Sequence, residues 1–248
     1  MNPKNVIYPA VLLVVIVTAW QTVVRLFAVP EYLLPAPSAV AGAFDGALVR
    51  HAATTFGEAL LGFLGANVLA LLTAIAFVYC PPLERSFFPF AIALKTTPLV
   101  ALAPLLVIWL GTGLGSKVVA SMLICFFPTL VNGVKGLKSV EREAAELFAT
   151  YGATSFETFW RLRLPSSLPY VLSALKISTS LAVVGAIVGE FVGANQGLGY
   201  LVLVSSYHME TPAMFAAIVC AAAIGLLLFW TVGFVEARLV FWQRVDVE

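Results

Sequence analysis

Six stretches of this sequence stay apolar for about the distance needed to cross a bilayer, and nothing else limits the fold as strongly. They run over 6–27, 54–79, 87–110, 118–134, 168–192 and 213–235. About 20 apolar residues carry a helix through the hydrocarbon core. Lipid offers no partner to backbone amides, so a spanning segment must satisfy them itself, as a helix or within a closed barrel. Barrel strands alternate over about ten residues, whereas these stretches are longer and do not alternate. The expected fold is an all-α membrane protein of about six transmembrane helices, forming a single domain over 1–248. Composition agrees: 61% of the residues are hydrophobic and 11% charged, too few charges to cover a soluble surface of this size.

The first stretch is longer than the roughly 7–15 apolar residues of a secretory leader, and further spans follow, so it reads as a retained span. Basic residues set the orientation. With the N-terminus inside, the inner segments hold Lys4, Arg85, Lys135, Lys138, Arg142, Arg161, Arg163, Arg238 and Arg244. The outer segments hold only Arg25, Arg50 and Lys117, while Lys95 and Lys176 fall within spans. This asymmetry places both termini in the cytoplasm. Trp20, Trp109, Trp230 and Trp242 read as interfacial anchors, and His51 and His208 as lone residues of external loops. An external segment at 193–212 carries no Lys or Arg, and its apolar part, 200–204, is too short to span.

Chemistry is sparse. Cys80, Cys125 and Cys220 form no CxxC pair, so neither a disulfide framework nor a metal site is expected. No HExxH, GxSxG or acidic ligand cluster points to a membrane-embedded enzyme, so no catalytic residue is named. No GxxxxGK[ST] string occurs, so this chain cannot hydrolyse ATP by the P-loop route.

The inner loop at about 135–167 is the sharpest signal. Its first part, through Glu141-Arg-Glu-Ala-Ala-Glu-Leu-Phe-Ala-Thr-Tyr151, favours helix. Gly152 suits a helix end, Ser155 can cap a second short helix, and Pro165 is expected to stop it before the fifth span. Leu147, Phe148 and Tyr151 share one face. Such an apolar face serves a protein contact, or packs against the chain's own helices or the lipid interface.

The spacing from Gly152 through nine residues to Leu162-Arg-Leu164-Pro165 resembles the EAA loop of binding-protein-dependent ABC importer permeases. Counting back from Gly152 puts the motif glutamate at Glu146, with Leu147 and Phe148 in place of the usual small pair. The literal Glu143-Ala144-Ala145 string stands three residues out of register. Leu34-Pro-Ala-Pro-Ser-Ala-Val40, Lys95-Thr-Thr-Pro98 with Trp109-Leu-Gly-Thr-Gly113, and Gly189-Glu190 with Gly197-Leu-Gly199 resemble segments of the nitrate/taurine/alkanesulfonate branch. The resemblance implies a multi-pass permease of the bacterial cytoplasmic membrane whose loop helix sits in a cleft of a separate ATPase. Leu147, Phe148 and Tyr151 would be the knob, Glu146 would pair with a basic residue, and Gly152 would set the elbow that Leu164 and Pro165 complete. ATP and Mg would lie on two copies of that subunit, with no cofactor on this chain. An external binding protein would deliver substrate at 193–212. Six spans are too few to enclose a large polar path, so a second copy of the chain is expected; no nucleic-acid partner is.

Ionisable residues within a span cost about 3 kcal/mol each on insertion scales, which makes them functional hypotheses. Lys95, Thr96, Thr97, Glu58, Asn67 and Glu190 are the candidates for the translocation path; structural ion pairing or snorkelling is the competing reading. Pro98 and Pro104 are expected to interrupt the third span. The substrate expected from the branch is a small polar nutrient, anionic or heterocyclic. An ion-coupled transporter or channel also accommodates embedded charges and broken helices. The Gly152–Pro165 spacing favours the importer.

Overall fold

The computed structural model describes residues 4–242, with side chains from residue 7 onward. Arg244, counted above among the inner basic residues, lies outside the described residues, as does the side chain of Lys4. The described residues form helices and turns. Five helices are long and apolar enough to span, or six when a bent pair counts as one.

Helix α1 covers Lys4–Leu26 and α2 covers Pro37–Gly42. Helix α3, Gly46–Tyr79, starts where Asp45 accepts the Leu48 N–H at 2.7 Å, and it stops before Pro81 and Pro82, which open α4, Pro81–Thr96. Helix α5 covers Leu99–Leu110 and α6 covers Leu114–Lys138. The loop that follows holds α7, Arg142–Thr150, and α8, Ser155–Thr158. A π-helical turn, Phe159–Arg163, then leads into α9, Leu164–Phe191. Helices α10, Leu198–Tyr207, and α11, Thr211–Leu239, complete the described chain.

Helices α3, α6 and α9 form the centre. Small residues let them approach closely, as interfaces in lipid require. A Cβ on Gly62 of α3 would strike the Ser121 side chain of α6. A Cβ on Gly185 of α9 would come 2.5 Å from the Ser121 Cα. Ala59, Phe63, Ala66, Cys125, Ala182 and Ala186 fill the space between them. Helix α1 stands apart. Among its described side chains only Val24 is buried, its Trp20 ring packs on Phe215 at 5.8 Å, and most of the apolar ones face outward. Trp20 packs within the chain, whereas Trp109 and Trp230 are exposed.

Several sequence expectations are corrected. The third span is not one rod: α4 and α5 meet at 101°. Thr97, extended at ψ 124° as a residue before proline prefers to be, makes the break at Pro98. Pro104 sits within α5 without interrupting it. Helix α3 begins eight residues earlier than 54, which puts Arg50 and His51 on the helix. Likewise α6 begins at Leu114, so Lys117 is helical and not a loop charge. Thr154, not Ser155, caps α8, through a capping box with Glu157. Pro165 does not stop the chain's helical course. It lies just after the π-helical turn, and the helical run continues through it into α9. Residues 200–204 belong to α10, which packs against α9 and α11.

Candidate functional site

Three places bring together the polar and exposed apolar residues that the sequence singles out. The first is the elbow between α7 and α8. Gly152 adopts φ +72°, the left-handed conformation that ends helices. The Gly152 N–H reaches the Ala149 carbonyl and the Ala153 N–H the Phe148 carbonyl, both at 3.0 Å. Helix α7 buries none of its residues. Tyr151 is 84% exposed and Leu147 55%, with Phe148 half-buried beside them. These three, with Gly152, Glu157 and Arg161, line a concavity of about 360 Å³. Glu146 bonds Arg142 at 2.7 Å on the same exposed helix. Leu164 and Pro165 are half-buried at the start of α9. Just before them the Arg163 guanidinium donates to the Leu137 carbonyl at 3.2 Å, fastening the loop to the end of α6.

The second place is the bend between α4 and α5. Lys95, Thr96, Thr97, Pro98 and Phe127 help to line a cavity of about 230 Å³. The Lys95 ammonium lies 4.7 Å above the Phe127 ring centre, a cation–π contact. The Thr96 and Thr97 hydroxyls both donate to the Ala93 carbonyl, at 2.8 and 3.0 Å. They therefore present lone pairs to the cavity and not protons. No carboxylate is among the lining residues. A free cation, an aromatic face and hydroxyl acceptors suit an acceptor-rich or anionic solute that also carries donor groups.

The third place is buried. Glu190 of α9 is 1% exposed. It accepts the Thr55 hydroxyl at 2.6 Å and the Gly199 N–H at 2.5 Å. Thr55 in turn accepts the Leu198 N–H at 2.7 Å, and His51 Nδ1 accepts the Gly197 N–H at 3.0 Å. Lys117, 2% exposed, points its ammonium at the carbonyls of Thr112, Gly113 and Gly193. Glu58 is buried on the same helix as Thr55, and its Oε2 has no partner among the described residues. Asn67, more than two turns further along α3, bonds Thr129 and the Phe63 carbonyl.

Glu58, Asn67 and Glu190 thus lie inside the protomer, away from the cavity that holds Lys95, Thr96 and Thr97. His51 is a bonded member of the buried cluster, not a lone surface residue. Sequence reasoning missed Lys117, Thr55 and His51 as its members. The one available signal was the close spacing of Gly189, Glu190, Gly197 and Gly199. Lys176 is paired with Glu236 of α11.

The family described as "Binding-protein-dependent transport system inner membrane component" matches residues 66–241. The chain is 35% identical over 240 residues to the formylaminopyrimidine transport permease protein ThiX of Halalkalibacterium halodurans, covering 95% of this chain and 96% of that one. It is also 35% identical over 238 residues to the riboflavin transport system permease protein RibX of Chloroflexus aurantiacus, covering 94% and 89%. To the taurine transport system permease protein TauC of Escherichia coli it is 28% identical over 241 residues, covering 93% and 88%. Its fold is that of a chain in the inward-facing MetNI methionine ABC transporter, with a TM-score of 0.62 over 78% of this chain and 94% of that one, at 20% identity.

Proposed function

The chain belongs to the family of binding-protein-dependent transport system inner membrane components, and from that membership we propose how this transmembrane subunit of an ABC importer works. Two copies form the path, two copies of a separate ATPase bind ATP and Mg, and both termini face the cytoplasm. Loop 135–167 is the contact with the ATPase. Leu147, Phe148 and Tyr151 enter its cleft, Glu146 meets a basic residue there, and Gly152, Leu164 and Pro165 hold the elbow. The observation that carries this reading is the exposed apolar face beside the left-handed Gly152. A water-facing loop gains nothing from showing Leu147 and Tyr151 unless something covers them.

Lys95, Thr96 and Thr97 line the path, at the bend of the third span. Glu58, Asn67 and Glu190 act from within the protomer. An external binding protein docks at 193–212. The substrate is a small heterocyclic or anionic nutrient. The two relatives at 35% identity are named for formylaminopyrimidine and riboflavin, both heterocycles.

Native mass spectrometry of the gently extracted protein tests the assembly. Two copies of this chain with two P-loop ATPases are expected. Leu147→Asp should shed the ATPase while the two membrane subunits stay together. Recovery of the chain with no nucleotide-binding partner, under conditions that preserve complexes, would overturn the reading.

A further inference from the structure

The buried polar cluster lines neither the cavity at the bend nor the concavity at the elbow, and it is costly to bury. Two carboxylates and an ammonium are sealed inside a membrane protein, where apolar side chains would join the same helices at lower cost. What charged and hydroxyl groups add is direction, since each holds one backbone atom at one place.

Most bonds of the cluster run between elements. The three consecutive amides that open α10 are all taken by side chains from other helices: Gly197 by His51, Leu198 by Thr55 and Gly199 by Glu190. The Glu190 carboxylate occupies the space a Cβ on residue 197 would fill, and Gly197 accordingly has φ +114°. The Lys117 ammonium spends its donors on carbonyls from two loops, Thr112 and Gly113 on one side and Gly193 on the other. Helix α4 is more exposed: it buries no residue, meets α5 across the 101° bend, and bonds α6 through the Glu84–Lys138 ion pair.

We propose that Glu190 and Lys117 are positioning residues of the transport cycle: they fasten α10 and the loops 111–113 and 192–197 to α3 and α6, so that this end of the protomer moves as one body with the spans. The proposal rests on loop 135–167 being where the ATPase drives those spans. Thr55 is the link through which Glu190 reaches α3, and changes of shape along the path fall to α4.

The test uses the reconstituted complex with its ATPase and binding protein. Thr55→Val removes the hydroxyl that serves both Glu190 and Leu198 while nearly conserving volume; Thr55→Ser keeps the hydroxyl. Assembled complex, ATP hydrolysis alone, its stimulation by the binding protein, and uptake are measured for each. With Thr55→Val, assembly and unstimulated hydrolysis should stay near wild type, while stimulation and uptake fall about tenfold, within the usual range of coupling between sites. Thr55→Ser should restore both. Glu190→Gln and Lys117→Met should uncouple in the same way; if either fails to assemble, Thr55→Val decides. Wild-type stimulation and uptake in Thr55→Val would overturn the proposal, as would losses that merely track the amount of complex and are the same for Ser and Val. Gly152→Val serves as the control. If it couples normally, the role of loop 135–167 is what fails. If it uncouples and Thr55→Val does not, only the positioning role is lost.

Discussion

Asn67 accepts a hydrogen bond from the Thr129 hydroxyl at 2.5 Å, with both side chains sealed between α3 and α6. Thr129 also lies 3.1 Å from the Ser178 hydroxyl of α9, so one buried hydroxyl touches three central helices. Polar contacts between helices in lipid are worth about 0.6–2 kcal/mol. Thr129→Val should therefore cost about 1 kcal/mol. Thermal unfolding in detergent should show the loss, with uptake per folded molecule unchanged. A fall in uptake beyond the loss of folded protein would return Asn67 to the path.

Gly185 is a second packing test. A Cβ there meets the Ser121 backbone, at 2.5 Å from Cα and 3.0 Å from N, and backbone cannot rotate away. Gly185→Ala should force α6 and α9 apart at a cost of about 1–3 kcal/mol, the usual range for overpacking. A lowered unfolding midpoint in detergent checks it, and an unchanged midpoint would show that the crossing is looser than described.

Gly152 separates conformation from space. Nothing lies within 4 Å of a Cβ at this position, so bulk is tolerated and only φ +72° is not. Asn enters the left-handed region readily and a β-branched residue does not. Gly152→Asn should keep uptake near wild type. Gly152→Val should lose it, with a local strain of about 1–3 kcal/mol and normal membrane insertion. Equal uptake in the two variants would remove the elbow from the mechanism.

Lys95 brings the only charge to the cavity at the bend. A hydrogen bond to a charged group contributes about 1.5–3 kcal/mol, and each 1.4 kcal/mol is about tenfold in affinity. Lys95→Met should weaken uptake about tenfold or more, seen as a raised KM in proteoliposomes, while Lys95→Arg retains most of it. Normal uptake with Met would take Lys95 out of the path.

Much of the fold was legible in the sequence because hydropathy alone marks a span. The first and last helices were placed within about four residues at each end, since lipid-facing helices answer to composition and not to partners. The Gly152 elbow was legible because a left-handed helix end is a local matter. The buried cluster was not. Lys117 read as a loop charge, because a lysine ordinarily marks where a span ends, and one of its carbonyl partners lies 76 residues away at Gly193. Thr55 meets Glu190 across 135 residues, and no local pattern announces such a pair. Pro98 and Pro104 looked alike as breakers. Only the first breaks, because Thr97 before it turns extended whereas Pro104 has a regular helix around it.

The π turn at Phe159–Arg163 joins α8 to α9 with no gap, so that Ser155–Phe191 is helical for 37 residues. At 1.5 Å per residue this is about 55 Å measured along the helix. Were the Gly152 elbow displaced by an ATPase as proposed, a flexible tether would absorb the movement by unwinding, whereas continuous helix would pass it on. Unbroken backbone would then take the place of a joint, with Gly152 and Glu190, 38 positions apart, near opposite ends of one helical run whose reach is set by residue count.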